Sequence, residues 1–111
     1  MARSVPEHDP GAFESILPGT AEDGAPIIVA GPGTGFGVAT LFHDCGNWHV
    51  LNGEGGHIAF APRTDLEFQL TKILLDKFGY VSNELIASGM GLEPMHEAFC
   101  EIYGRSVEDI S

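Results

Sequence analysis

The spacing of apolar residues changes at Thr64, and that change constrains the fold more than any other feature of the chain. Before Thr64 the apolar residues come in short runs broken by glycine; after it they recur every three or four positions. Pro26-Ile27-Ile28-Val29-Ala30 is a short continuous apolar run ending in glycine, which suits a buried strand. Val38 to Asp44 and Trp48 to Leu51 read as two more strands, joined by a turn at Cys45-Gly46-Asn47. Thr64-Asp65-Leu66-Glu67 then forms a capping box, and Leu66, Leu70, Ile73, Leu74 and Phe78 make one apolar helical stripe that Gly79 stops. Lys72 and Lys77 lie toward its C-terminal end, where the helix dipole favours cations. Ser82 caps a short helix over Asn83 to Ala87, broken by Ser88-Gly89-Met90-Gly91. Leu92, Met95, Phe99 and Ile102 space out a last helix ending at Gly104, and Met90 and Met95 read as core fillers. Strands followed by helices predict an α/β chain.

With 111 residues there is room for one domain. Residues 1–25 read as an irregular segment with room for one short helix (Asp9 to Leu17, with Phe13, Ile16 and Leu17 on one side). Residues 26–62 carry the strands and glycine loops, and residues 63–111 are helical. Ser106-Val107-Glu108-Asp109 looks like the cap of one more helix. Three short strands leave sheet edges without evident cover, so the chain is expected to be a single incomplete domain. Its 16 acidic and 5 basic residues give a formal charge of −11, which repels nucleic acid and acidic membrane surfaces. A 43% hydrophobic content rules out a disordered acidic tail. Cys45 and Cys100 are too few for a disulfide scaffold and read as reduced thiols. No apolar run reaches the roughly 18 residues that span a bilayer, and Met1 to Pro10 lacks an apolar signal core. The expectation is a cytoplasmic protein.

Two glycine loops stand out. Gly31-Pro32-Gly33-Thr34-Gly35-Phe36-Gly37 lies between two strands. No Lys-Ser/Thr pair follows it, so it is not a Walker loop, and a strand rather than a helix comes next, so it is not the dinucleotide fingerprint. It is either a tight turn or a cradle whose backbone N–H groups and Thr34 hydroxyl meet a phosphate. In the second loop, Glu54 and His57 flank Gly55 and Gly56, so a polar ligand can approach the backbone closely. A carboxylate accepts hydrogen bonds from two hydroxyls at once and imidazole donates or accepts, which is chemistry suited to a sugar. A surface turn is the alternative. Glu84, read alone, is a first-turn acid favoured by the helix dipole. His43, Cys45 and His49 match no common zinc spacing and are explained by strand alternation, so no metal site is expected. His8 and His96 read as solvated surface residues.

Taken in order, these motifs resemble those of the bacterial glucokinases. The matching run is Ala30-GPGTGFG-Val38-Ala39, then Gly53-Glu54-Gly55-Gly56-His57 with Phe60-Ala61-Pro62, then Val81-Ser82-Asn83-Glu84 and Ser88-Gly89-Met90-Gly91-Leu92, spanning about residues 26–104. The related repressor/kinase family shares the Glu-Gly-Gly-His element but follows it with a cysteine-rich zinc site, which this sequence lacks. The resemblance implies a partial actin-like ATPase (ribonuclease H-like) fold, with a short mixed sheet followed by helices. It also implies ATP-dependent phosphorylation of glucose to glucose 6-phosphate with Mg²⁺. Gly33, Thr34 and Gly35 would then contact the ATP phosphates, and Glu54, His57 and Glu84 would bind glucose.

The family's N-terminal Asp-Gly-Gly phosphate motif, its C-terminal adenosine motif and its Asn-Asp pair, whose aspartate is the catalytic base, have no counterpart here. Asn47, Asn52 and Asn83 are followed by Trp, Gly and Glu. By the family's order the pair falls upstream of Met1, so the chain reads as a middle fragment with no catalytic residue of its own, inactive in isolation. It would form a homodimer or associate with the missing segments. A stand-alone sugar-binding or regulatory module, or a non-functional remnant, are the other readings.

Overall fold

Strands and helices fall close to where the apolar spacing and the caps put them. The computed structural model describes residues 9–107. Its elements are β1 (Ile27–Pro32), β2 (Phe36–Asp44), β3 (Asn47–Gly53), α1 (Asp65–Phe78), α2 (Asn83–Ala87) and α3 (Leu92–Tyr103). Single 3-10 turns cover Pro10–Ala12, Gly55–His57 and Gly89–Gly91. The backbone gathers into two compact units, one of residues through Ala30 with Val38–Gly53, the other of Gly31–Gly37 with the residues from Glu54 onward.

In the first unit the sheet order is β1-β2-β3, and β2 runs antiparallel to β3 in a register from Val38↔Gly53 to Asp44↔Asn47. The sheet is antiparallel and not the mixed sheet expected, because consecutive strands joined by tight turns reverse direction. A two-residue hairpin of type I′ has positive φ at both central positions, which matches the strand twist. Gly46 (φ 80°) adopts it freely, and Cys45 takes φ 47° while its carbonyl accepts from Asn47 Nδ2 at 3.3 Å. Phe42 stacks on His49 and His43 meets Trp48 edge-on, each pair with ring centroids 5.3 Å apart. These cross-strand pairs give both histidines a structural role. Leu41 is fully buried. The short helix expected over Asp9 to Leu17 is not formed: only the turn Pro10–Ala12 is helical, and Ile16 and Leu17 are exposed. With Pro10 and Pro18 at its ends, that segment is too short to hold a helix by itself.

The second unit is built on α1 and α3. Thr64 Oγ1 accepts from the Glu67 N–H at 3.2 Å, the Glu67 carboxylate accepts from the Arg63 N–H, and Gly79 ends the helix in the left-handed conformation (φ 73°). Leu70, Leu74, Val81 and Ala98 form the buried core, with Phe60, Ile73, Leu85, Ile86, Met95, Phe99 and Ile102 packed around it. Leu74 is completely buried, so Leu74→Ala removes a side chain whose loss typically costs about 2–5 kcal/mol. The stripe is narrower than the spacing predicts: Leu66, Phe78 and Leu92, at the helix ends, remain exposed. Lys77 pairs with Glu97 of α3 rather than standing alone at its helix end. His96 is half-buried, with Nε2 3.5 Å from Cys100 Sγ, and is not the solvated residue expected. Both cysteines are free thiols. The helix start expected at Ser106-Val107-Glu108-Asp109 runs from residue 108 outside the described residues. Among the described residues no helix is long and apolar enough to cross a membrane.

Candidate functional site

A single antiparallel bridge sets the site. Ala59 pairs with Ser82, with the Phe60 N–H donating to the Val81 carbonyl (2.9 Å) and the Asn83 N–H to the Ile58 carbonyl (2.9 Å). His57 lies two residues before Ala59 and Glu84 two residues after Ser82, so pairing the two segments brings their side chains together. Ser82 holds the second segment by accepting from the Leu85 N–H at 3.1 Å, which starts α2 and puts Glu84 in its first turn. The Tyr80 hydroxyl donates to the His57 carbonyl and ties the segments a third time.

His57 Nε2 lies 3.5 Å from Glu54 Oε2 and 3.7 Å from Glu84 Oε1. The three residues expected to bind glucose are therefore one cluster, although they differ in exposure. The Glu54 side chain is 88% exposed, that of His57 59%, and that of Glu84 only 19%. Glu54 thus meets solvent on most sides, whereas Glu84 is anchored. Its Oε2 accepts from the Phe36 N–H at 2.8 Å.

Beside the cluster is a cavity of about 210 Å³ lined by His57, Phe78, Tyr80, Ser82, Glu84, Leu85, Ser88 and Met90. It offers a polar end and an apolar wall. Met90 belongs to that wall and is 56% exposed, so it is not the core filler expected. Ser88 is buried, and its hydroxyl has no hydrogen-bond partner, an uncommon state for a buried polar atom. The sequence reading missed Tyr80 and Ser88; the signal for Ser88 was its place at the break between α2 and the glycine turn.

The first glycine loop is shorter than the motif suggests. Gly31 and Pro32 belong to β1, Phe36 and Gly37 to β2, and only Gly33-Thr34-Gly35 form the turn. The Gly33 N–H donates to the Gly35 carbonyl (2.8 Å), while the Gly33 and Thr34 carbonyls accept from Gly89 (2.7 Å) and Met90 (3.1 Å). Gly33 and Thr34 are exposed, and a Cβ on Gly33 would meet only the Gly35 carbonyl at 4.0 Å. The second loop differs from expectation in one respect. Gly56 is buried, and a Cβ there would sit 2.1 Å from the Phe36 carbonyl oxygen, so its missing side chain serves the approach of protein backbone, not of a ligand. Among the described residues no three His, Cys, Asp or Glu side chains gather as a metal site.

A three-stranded sheet followed by helices, with a glycine turn held against a carboxylate-bearing loop, makes this chain part of an α/β ATPase-like fold. The glucokinase family model matches residues 1–110, and the chain belongs to the glucokinase family. It is 42% identical over 104 residues to the glucokinase of Chromobacterium violaceum, covering 94% of this chain and 30% of that protein. It is 37% identical over 111 residues to the glucokinase of Caulobacter sp., covering 34% of that protein. The crystal structure of a glucokinase from an Antarctic psychrotroph superposes with a TM-score of 0.84 at 36% identity, over 95% of this chain and 33% of that one. A Balamuthia mandrillaris glucokinase crystallised in complex with glucose gives 0.66 at 25% identity, over 77% of this chain and 25% of that one. The chain spans about a third of the length of the curated relatives it matches.

Proposed function

We propose that this chain is the hexose-binding part of a glucokinase, an enzyme that transfers a phosphoryl group from ATP to the 6-hydroxyl of glucose. The observation that carries the reading is the cluster itself, with His57 Nε2 3.5 and 3.7 Å from the carboxylates of Glu54 and Glu84. Two carboxylates accept hydrogen bonds from vicinal hydroxyls, and the imidazole between them donates or accepts. The apolar wall of Phe78, Tyr80, Leu85 and Met90 suits the C–H face of a sugar ring. The glucose complex of the Balamuthia protein supports the same ligand class.

In this reading Glu54, His57 and Glu84 bind glucose, and Gly33, Thr34 and Gly35 face the ATP phosphates. The open, exposed tip at Gly33 and Thr34 fits a phosphate, with the Thr34 hydroxyl as donor, whereas the Gly33 N–H is already used within the turn. Mg²⁺ would keep most of its shell as water and phosphate oxygens, and none of these residues is assigned to it. No asparagine in the chain is followed by aspartate, so none of these residues is assigned as catalytic base. Phosphoryl transfer is chiefly positioning and charge stabilisation, and the 111 residues alone are expected not to turn over. A cytoplasmic location, and a homodimer or association with further segments of the enzyme, go with this reading.

The test is a coupled assay on the chain fused to the remaining segments of the Chromobacterium relative. ATP-dependent glucose phosphorylation that Glu54→Ala and Glu84→Ala abolish supports the proposal. A folded fusion without turnover, or turnover indifferent to both substitutions, contradicts it.

A further inference from the structure

We infer that Glu84 couples the hexose pocket to the first glycine loop, and that Gly35 and the Phe36 peptide are positioning elements for this sugar-binding carboxylate; this rests on the hexose reading above. The two oxygens of Glu84 face different loops. Oε1 is 3.7 Å from His57 Nε2, and Oε2 accepts from the Phe36 N–H at 2.8 Å. A hydrogen bond to a charged carboxylate is among the stronger kinds, and this one is half-buried, with the Glu84 side chain 19% exposed.

A side chain on the residue before Phe36 would crowd the carboxylate that accepts that bond. A Cβ on Gly35 would lie 2.7 Å from Glu84 Oε2, closer than real Cβ atoms come, and it would push the carboxylate end aside. The Phe36 carbonyl lies against Gly56, next to His57, at a distance that leaves no room for a side chain there. Thus the backbone of one residue contacts both segments of the sugar site, the Phe36 N–H on Glu84 and the Phe36 C=O on Gly56. The loop is also anchored beyond the other end of α2, where Gly89 and Met90 donate to the Gly33 and Thr34 carbonyls (2.7 and 3.1 Å). The helix that carries Glu84 therefore grips the loop at its start and just past its end.

Two consequences follow from this geometry. The carboxylate cannot swing without losing the Phe36 bond, so a hexose meets an acceptor already oriented. A displacement of Gly33–Gly35 by a phosphate-bearing co-substrate moves the Glu84 acceptor, and by linkage the hexose changes the loop's affinity by the same factor. Side-chain substitutions at the tip, such as Thr34→Ala, do not touch Glu84. A Cβ at Gly35 does.

The experiment is a glucose titration of the full 111-residue chain followed by ¹H–¹⁵N NMR, for the parent, Gly35→Ala, Glu84→Ala and the double variant. Gly53→Ala, where a Cβ would meet nothing within 4 Å, is the control. The Phe36 amide of the parent is expected to shift on adding glucose. Gly35→Ala is expected to weaken glucose binding roughly ten- to a hundredfold, the worth of a hydrogen bond to a charged group. In the Glu84→Ala background Gly35→Ala adds nothing further, because its effect runs through that carboxylate. Glucose binding by the parent with an unmoved Phe36 amide overturns the inference, as does a folded Gly35→Ala that binds like the parent. If Gly35→Ala does not fold, the parent's Phe36 amide decides alone. A parent spectrum in which no resonance responds to glucose overturns the hexose reading instead, and the inference with it.

Discussion

Replacing Gly56 by alanine tests whether the two glycine loops touch as tightly as the structure has them. The added Cβ would lie 2.1 Å from the Phe36 carbonyl oxygen, 3.1 Å from its carbon and 3.2 Å from the Phe36 Cβ. The first distance is more than an ångström short of the 3.4 Å where ordinary contact begins, and the obstructing atom is backbone, which cannot rotate away. Relief requires the 3-10 turn Gly55–His57 or the start of β2 to move, at the expense of the His57 N–H bond to the Glu54 carbonyl (2.9 Å) or of the Phe36 N–H bond to Glu84. Forced overpacking typically costs about 1–3 kcal/mol, and the backbone clash puts Gly56→Ala at the upper end. At about 4 °C per kcal/mol for a chain of this size, the melting temperature should fall by about 8–12 °C. Gly53→Ala, in open space three residues earlier, should leave it within about 2 °C, the shift expected of a change near 0.5 kcal/mol. Thermal unfolding followed by far-ultraviolet circular dichroism reads both. Equal melting temperatures for Gly56→Ala and Gly53→Ala would refute the close approach, and with it the packing reason given for this glycine.

The other predictions concern the site and the caps. Glu84→Gln should weaken glucose binding roughly ten- to a hundredfold, and Glu54→Gln less, because Glu54 is 88% exposed against 19% for Glu84; calorimetric titration checks the order, and the reverse order would sink it. In the fused enzyme Thr34→Ala should raise KM for ATP and leave KM for glucose nearly unchanged. Ser82→Ala should destabilise the chain by about 0.5–2 kcal/mol through loss of the cap on the Leu85 N–H, read as a lower urea midpoint. With Ile16, Leu17, Ile28, Phe68 and Leu92 exposed, the chain alone should be marginally stable or self-associate and should bind an apolar dye; a monomer with a sharp melt above about 60 °C would contradict that.

Local signals made the helices legible. Thr64 and Ser82 cap, Gly79 stops, and Leu70 and Leu74 carry the stripe, each a feature read within one or two turns. The cluster of Glu54, His57 and Glu84 was legible only through the family's motif order, since nothing near Glu84 in the sequence distinguishes it from a first-turn acid. What escaped the sequence is long-range. The Phe36–Glu84 bond joins residues 48 apart, and the reason for Gly56 is a carbonyl 20 positions earlier, neither of which periodicity encodes. Leu92 is exposed because spacing reports which residues share a helical side but not how much of that side is covered, and Met90 lies in the Gly89–Gly91 turn outside any helical stripe. Asp9 to Leu17 does not form the expected helix because a segment so short, bounded by Pro10 and Pro18, does not hold a helix on apolar spacing alone.

The most direct test of the hexose site is a crystal structure of this chain, or of the fused enzyme, grown with glucose. The sugar hydroxyls are expected within hydrogen-bonding distance, about 2.7–3.2 Å, of the Glu84 and His57 side chains, with Glu54 closed over them and the Phe36 N–H still on Glu84. Glucose found instead in the groove of Gln69, Lys72, Asp76 and Glu101 between α1 and α3, with Glu84 and His57 bare, would contradict the account.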